Sequence, residues 1–310
     1  MHPDLVSVLR CPVCGDALSL TARTAVCPRR HAFDLAKQGY LNLLPSASTG
    51  IEGDSADMIE AREAFLSAGH YTPIRDALIA ASTKALAHKR GEFGVRRVGE
   101  GSGGEGSAVE GGLVVEVGAG TGYYLAGVVG AASGQWGLAL DVSRYAARRA
   151  ARVDPERIGA VVCDAWRELP VQDQAAALVL NVFAPRNAQE MARILAPGGS
   201  LLVVTPNQTH LTELVEVLGL VRVDQEKEQR LTASLAGSFV RTGSEVVEVA
   251  MRLDHAAVER LVAMTPSARH TAKAELTERI AVLADPAEVT LSVTLSVWQS
   301  AGSSTAPAGD

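Results

Sequence analysis

The sequence is poor in aromatic residues, 4% of 310 positions, and has no excess of basic side chains: 29 Lys plus Arg face 35 Asp plus Glu, a net charge of −6. A uniformly basic coat for nucleic acid is thereby excluded, although a local cluster of charge is not. No apolar run approaches the ~20 residues that cross a bilayer. The first ten residues include Asp4 and lack an apolar stretch followed by a small-residue cleavage site. No secretory leader is read, and a soluble cytoplasmic protein is expected. What is present is an apolar fraction of 47%, enough for one or two cores. That excludes disordered, collagen-like and mini-protein classes. At about 150 residues per domain the length suggests roughly two units.

Cysteine is scarce and unevenly spread. Cys11, Cys14 and Cys27 crowd the start, and with His31 they read C-x2-C-x12-C-x3-H. A two-residue gap lets a chain turn back and present two thiolates to one ion, and zinc takes four such ligands at tetrahedral corners. The strand-like residues Leu18, Leu20 and Val26 separate the two knuckles. A redox pair or a disulfide is the alternative, disfavoured in a reducing cytosol. A closed four-ligand site leaves no position for a catalytic water, so the metal is expected to hold structure. Cys163, in the apolar stretch 158–163, reads as a buried core residue.

Beyond a polar segment at 45–53, helical spacing predicts helices over 55–68, capped by Asp54 or Ser55, and from Pro73 onward. Residues 99–112 hold seven glycines without apolar periodicity and read as a linker, not a phosphate loop. From 113 short apolar runs alternate with helices: strands at 113–117, 136–140, 159–163, 176–182 and 200–205, helices at 122–131, 143–152 and 188–195. Such alternation implies a doubly wound, mainly parallel α/β sheet, which binds ligands beyond the carboxyl ends of its strands. Helices at 228–235, 256–264 and 272–283 and strands at 245–252 and 289–298 complete the chain.

The first strand runs into Glu116-Val117-Gly118-Ala119-Gly120-Thr121-Gly122, where missing side chains let a ligand approach the backbone at a helix start. A dehydrogenase would show a similar turn. Here the spacing is G-x-G-x-G preceded by an acid, and Asp141 ends the next strand, where a carboxylate accepts from ribose hydroxyls. Asp164 follows the third strand and is placed to accept from an adenine amino group. Each acid alone would read as a helix cap or solvated turn. The series resembles class I S-adenosylmethionine (SAM)-dependent methyltransferases, as does Ala196-Pro197-Gly198-Gly199 before the fifth strand. The expected fold is therefore a Rossmann-like doubly wound sheet with a small N-terminal zinc-binding domain.

Several further stretches are similar to the bacterial 23S rRNA guanine-N1 methyltransferases. They are Cys27-Pro28-x-x-His31-x-Phe33-Asp34, Gly39-Tyr40-Leu41-Asn42-Leu43-Leu44, Gly53-Asp54-Ser55-Ala56-Asp57-Met58 with Ala61-Arg62, and Gly69-His70-Tyr71. Asn181-Val182-Phe183-Ala184-Pro185-Arg186-Asn187, Thr205-Pro206-x-x-x-His210-Leu211 and Met264-Thr265-Pro266 extend the likeness. It covers nearly the whole chain apart from the glycine-rich insert and the tail after Trp298.

The resemblance implies methyl transfer from SAM to N1 of a guanine in a large-subunit hairpin beside the peptide exit tunnel. The Asn181 to Pro185 segment looks like the tylosin-resistance (guanine-748) branch, and the guanine-745 branch is the alternative. A small-molecule methyltransferase with a zinc-finger lid is another. The resemblance further implies zinc on Cys11, Cys14, Cys27 and His31, and SAM contacts at Tyr71, Gly120, Thr121 and His210. Glu116, Gly118, Asp141 and Asp164 join that set from the fold argument. A homodimer that clasps RNA between two fingers is implied as well.

Guanine N1 holds a proton near neutral pH, and some group must accept it. Asp54 and Asp57 are candidates, Asp54 reading first as a helix cap, and Asn181 at the end of the fourth strand is a candidate to hydrogen-bond the base edge; no base is assigned. The chain lacks the (Asn/Asp)-Pro-Pro-(Tyr/Phe) string of exocyclic amino methylation and the Pro-Cys nucleophile of pyrimidine C5 methylation. RNA contacts are expected from Arg10, Arg23, Arg29, Arg30 and Lys37, and from Arg144, Arg148, Arg149 and Arg152 along one helix, which otherwise form a solvated face. Phe33, Tyr40 and Phe183 are candidate stacking residues. The expected domains are 1–44 (zinc-binding, RNA recognition), 45–112 (helical linker and glycine-rich insert), 113–300 (methyltransferase) and 301–310 (disordered tail).

Overall fold

The computed structural model describes residues 1–45, 52–92, 112–219, 227–265 and 273–301. The expected glycine-rich linker, up to residue 111, and the tail beyond 301 lie outside the described residues.

The N-terminal part holds a short helix α1 (Pro3–Ser7) and an antiparallel ribbon β1 (Ser19–Thr21), β2 (Thr24–Val26) and β3 (Ala32–Asp34). Strands this short bury too little to stand alone. They share a core with the rest of the chain: Leu5, Val6, Leu18 and Ala25 pack in one cluster with Val161, Leu169 and Val171. β4 (Leu41–Asn42) then joins the main sheet, parallel to β7 (Ile158–Val162), with Leu41 opposite Val161. The expected boundary at 44 thus falls just after a strand of the large sheet.

Two helices follow, α2 (Ala56–Ser67) and α3 (Thr72–Glu92). Of the two expected caps, Ser55 does the work, its side chain accepting from the Met58 N–H. Phe65, Tyr71, Ile74 and Leu78 are buried in the same cluster as sheet residues Val114, Leu180 and Val204. These helices are layers of the main body, although the polar segment before them reads as a linker.

The sheet continues through β5 (Leu113–Val117), α4 (Tyr123–Ala131), β6 (Trp136–Asp141), α5 (Arg144–Val153), β7, β8 (Ala176–Val182), α6 (Ala188–Ile194) and β9 (Leu195–Pro206). Then come α7 (Thr212–Leu218), α8 (Lys227–Leu235), β10 (Phe239–Leu253), α9 (His255–Ala263), α10 (Lys273–Ala281) and β11 (Ala287–Ser300). The eight strands lie in the order β10-β11-β9-β8-β5-β6-β7-β4. β4 to β9 are parallel, and β11 inserts antiparallel between β9 and β10. Every residue of β5, β7 and β8 is buried, as expected for parallel strands covered on both faces. β10 runs further than the predicted 245–252 because it pairs with β11 from Phe239 opposite Ser300 to Leu253 opposite Ala287. Its mostly exposed residues carry no apolar alternation to announce that length.

Strand order departs from β5 in two directions, to β6 and to β8. This is the topological switch point, whose crevice opens at the carboxyl ends of those strands. No helix among the described residues is long and apolar enough to cross a membrane.

Candidate metal centre and cofactor cleft

Each metal knuckle is a tight backbone turn. Gly15, at φ +77°, donates its N–H to the Cys11 carbonyl at 2.9 Å, and Arg30, at φ +65°, donates to the Cys27 carbonyl at 2.8 Å. The His31 N–H also points at Cys27 Sγ, 3.3 Å away. His31 Nδ1 lies 3.5 Å from Cys11 Sγ and 3.4 Å from Cys27 Sγ, and Cys14 Sγ lies 3.7 Å from Cys27 Sγ. All four ligand atoms fall within 4.8 Å of one another, and all four cysteines of the chain are free thiols. A tetrahedron built on ~2.3 Å Zn–S bonds has S···S edges of about 3.8 Å and slightly shorter S···N edges. The cluster therefore fits zinc. An ion pair of Arg29 Nε with Asp16 at 3.0 Å ties the knuckles together from outside.

The cleft is organised by the loop between β5 and α4. The N–H groups of Gly118 and Ala119 both reach the Leu140 carbonyl, locking the loop onto β6. Gly118 sits at φ +74°, and a Cβ there would stand 2.4 Å from the Ala184 methyl. Gly120, at φ +54°, has only Arg62 over its open side, with Nη1 3.3 Å from where a Cβ would stand. L side chains rarely adopt these angles; backbone geometry and close approach both require glycine.

Asp141 supports the loop from below. Its two oxygens accept from the N–H groups of Gly120 and Ser143, each at 2.8 Å. Burial pushes its carboxyl above the usual carboxylate range, against the pull of those two bonds and of Arg62. Glu116 lies deeper, and its carboxylate accepts from the Leu125 N–H at 3.1 Å. Burial lifts its pKa to about 8; this acid fastens the start of α4. Asp164 is buried, accepts from the Trp166 N–H at 2.9 Å and pairs with Arg167 at 3.4 Å. Thr121, within the loop, is buried.

Two side chains from distant segments meet at the same end of the sheet. Tyr71 Oη lies 3.4 Å from His210 Nε2, and His210 Nδ1 accepts from the Ser292 N–H at 3.2 Å. A neutral His210 therefore carries its proton on Nε2 and donates to the tyrosine oxygen, leaving the Tyr71 hydroxyl hydrogen for another acceptor. Burial keeps that hydroxyl protonated. The Phe183 ring stacks on His210 at 6.1 Å, with a 25° interplanar angle. It is 41% exposed and held at φ +53°, a left-handed conformation costly for a bulky residue.

Asn181, fully buried at the end of β8, donates through Nδ2 to the Pro185 carbonyl at 2.9 Å. Its Oδ1 and the buried Tyr124 hydroxyl have no partner among the described residues. Buried polar atoms left unpaired cost about 1–3 kcal/mol each, and a ligand carrying both donors and acceptors satisfies them. With a bare glycine loop and an acid at the end of β6, the cleft fits an S-adenosyl amino acid. A separate open groove between Met1, His2, Trp136 and Arg157 lies at the opposite ends of β6 and β7.

Asp54 does not cap α2; it pairs with Arg62 at 2.6 Å. Asp57 is exposed in the first helical turn. Of the expected RNA-facing cations, Arg10 pairs with Glu168 and Asp173, Arg23 donates to the carbonyls of Leu35 and Ala36, and Arg149 turns to Glu63 at 3.0 Å. Arg30, Lys37, Arg144, Arg148 and Arg152 are exposed. Phe33 and Tyr40 are half-buried against the two cores. Sequence reasoning missed two residues of the cleft. Ser143 caps α5 and donates through Oγ to the Asp54 carbonyl at 2.7 Å; its position just after the strand-end acid was the available signal. Arg62 follows Ala61 in one of the family-like stretches, but no local pattern places it over a glycine loop far along the chain.

Comparison with known proteins adds four findings. Residues 9–48 match the family model of the RlmA N-terminal zinc ribbon. The chain is 46% identical over 297 residues to the 23S rRNA (guanine(748)-N(1))-methyltransferase of Streptomyces fradiae, covering 96% of this chain and 98% of the relative. It is 48% identical over 303 residues to a Micromonospora griseorubida protein assigned to the 23S rRNA (guanine-N(1)-)-methyltransferases, covering 96% and 99%. Among solved structures, a SAM-dependent methyltransferase from Geobacter sulfurreducens bound to S-adenosyl-L-homocysteine aligns at 17% identity and a TM-score of 0.40, covering 61% of this chain and 85% of that one.

Proposed function

The chain belongs to the family of 23S rRNA guanine-N1 methyltransferases, and on that premise we propose that it methylates N1 of a guanine of the 748 type in a hairpin lining the peptide exit tunnel. The observation that carries this reading is one convergence. The glycine loop, Asp141, Asn181 and the Tyr71–His210 pair meet at the switch point of a sheet whose β4 edge follows directly on the ribbon.

Bound SAM supplies an activated methyl on a sulfonium. In this reading Gly118, Gly120 and Thr121 admit its backbone-facing side, and Asp141 turns from the loop amides to the ribose hydroxyls. Asp164 receives the adenine amino group, and Glu116 braces the loop. Tyr71 and His210 line the reacting end. Much of the rate then comes from alignment, worth about 7–11 kcal/mol at best. Phe183 offers an exposed ring on which a splayed guanine stacks. The unpaired Asn181 Oδ1 accepts from a donor brought into the cleft. Asp54 and Asp57 remain the candidates for taking the N1 proton. Zinc, held by Cys11, Cys14, Cys27 and His31, keeps the ribbon in shape.

RNA is received on a surface shared by the ribbon and α5. A Cβ at Gly39 would lie 3.9 Å from the Ala151 methyl, so the turn carrying Lys37 abuts the helix carrying Arg144, Arg148 and Arg152. These three share one exposed helical face at i, i+4 and i+8. The same reading carries a cytoplasmic location, a homodimer that clasps RNA, and tolerance to tylosin-type macrolides.

Primer extension on rRNA from cells with and without the gene tests the proposal, because an N1-methylated guanine cannot pair and halts the polymerase. A new stop at the 748 type is expected. A stop at the 745 type would move the chain to the other branch, and no stop would refute the rRNA reading.

A further inference from the structure

Arg62 belongs to no part of the chemistry assigned above, yet it occupies the open side of the glycine loop. Its Nη1 pairs with Asp54 at 2.6 Å and its Nη2 donates to the Met264 carbonyl at 2.9 Å. Its guanidinium nitrogen and Cδ are the atoms that a Cβ at Gly120 would meet, at 3.3 and 3.5 Å. Both anchors are themselves fixed. The Asp54 carbonyl accepts from Ser143 Oγ at 2.7 Å, and a Cβ at Gly53 would lie 2.9 Å from the Ser143 backbone. Met264 is buried at the end of α9. The arginine is thus held over the loop from two sides, and its remaining N–H groups have no partner among the described residues. It is also the cation whose charge is felt at both Asp141 and Tyr124.

We propose that Arg62 binds the α-carboxylate of the amino-acid half of the methyl donor and of its demethylated product. The inference rests on the reading that the cleft takes an S-adenosyl amino acid, and it assigns the end of that ligand that no predicted residue serves. Asp141, the acid bonded to the loop amide of Gly120, offers a carboxylate no donor. A guanidinium has five donors in a planar fork suited to carboxylates, so it holds Asp54 and a second one together. Asp54 is the resident counter-charge that keeps Arg62 in place before the ligand arrives.

Calorimetry on the full-length, zinc-loaded protein tests this with two probes. S-adenosylhomocysteine carries the carboxylate; 5′-methylthioadenosine keeps the adenine, ribose and thioether and lacks the amino-acid group. Arg62→Gln is expected to weaken S-adenosylhomocysteine roughly tenfold to a hundredfold, with methylthioadenosine within about twofold of wild type. Arg62→Lys should recover part of the loss. Equal losses for both probes would make Arg62 a structural staple of α2 and overturn the proposal, as would no loss for S-adenosylhomocysteine. Asp54→Asn provides a second route should Arg62→Gln fold poorly. The preference for S-adenosylhomocysteine over methylthioadenosine should rise, and a fall or no change counts against the assignment. If wild-type protein binds neither probe, the cofactor reading fails and takes this one with it; wild-type binding of both with an unchanged ratio in Arg62→Gln sinks only the arginine.

Discussion

The metal centre and the cofactor cleft solve the same problem, holding polar groups at fixed separations, by different means. Cys11, Cys14, Cys27 and His31 are neighbours in the chain, folded into contact by two short turns. Three-residue strands hold such turns weakly by themselves, so the ion adds to the core that the ribbon shares with the sheet. Tyr71, Gly120, Asp141, Asn181 and His210 come from five segments, and no single bond positions them. Their separations are set by parallel strands packed on both faces and by α2 and α3 laid across them. Removing one ligand from the first site should abolish it, whereas removing one group from the second should leave the scaffold standing.

Cys14→Ser makes the largest break. Zinc binding to small structural domains is worth about 10–16 kcal/mol, and a site missing one thiolate loses much of it. Zinc content by mass spectrometry should fall from one per chain to near zero, with a lower unfolding midpoint. S-adenosylhomocysteine affinity should move by less than about threefold if the two regions are energetically separate. They share a core through Leu5, Val6, Val161 and Val171, so a collapse of cofactor binding would mean that they unfold as one. Retention of zinc would show that the ligand set is wrong.

Glu116→Gln probes the buried acid of the cleft. In the unfolded chain this carboxyl ionises near 4.5, and in the folded protein it keeps its proton up to about 8. Between those values the native state binds more protons than the unfolded one. Stability should therefore fall as pH rises through that window, by about 1.4 kcal/mol per pH unit. Glutamine accepts the Leu125 N–H equally well and cannot ionise. Urea midpoints from pH 5 to 8 should decline in wild type and flatten in the variant; parallel curves would place the proton elsewhere.

How much was legible before the structure follows the same division. The metal ligands could be read because their chemistry is encoded in local spacing. The strands from 113 to 182 could be read because burial on both faces makes them continuous apolar runs. β4 could not: two residues, Leu41 and Asn42, have no periodicity, and only pairing with β7 makes them a strand. α7 also went unread, with only Leu214 and Leu218 on its buried face and no strand directly after it to complete a βαβ pattern. In the cleft, the strand-end acids were visible from the βα pattern. That Glu116 serves the Leu125 N–H was not, nor that Arg62 lies over Gly120, because both depend on how helices fold back across the sheet.

Gly118→Ala is a smaller perturbation confined to the cleft. The methyl would need to occupy space 2.4 Å from Ala184 at a positive φ, so the loop and the 183–187 segment must part. We expect a stability loss of about 1–3 kcal/mol, at least a tenfold weaker S-adenosylhomocysteine by calorimetry, and unchanged zinc content. A variant that binds normally would show that the two loops separate freely.

The smallest effect is expected where the two regions meet. Arg148 and Arg152 are exposed on α5, against which the ribbon turn at Gly39 rests. A solvated face and a phosphate-binding face differ little in stability, since exposed charges contribute about 0–1 kcal/mol either way. They differ in salt dependence. If each arginine meets a phosphate, the double Arg148→Ala, Arg152→Ala variant should lower affinity for the rRNA hairpin several-fold at low salt. It should also reduce the slope of log affinity against log salt by about one per lost contact. S-adenosylhomocysteine affinity should not move. An unchanged slope would assign Arg148 and Arg152 to solvent and leave Arg144, with Arg30 and Lys37 of the N-terminal part, as the cations that meet RNA.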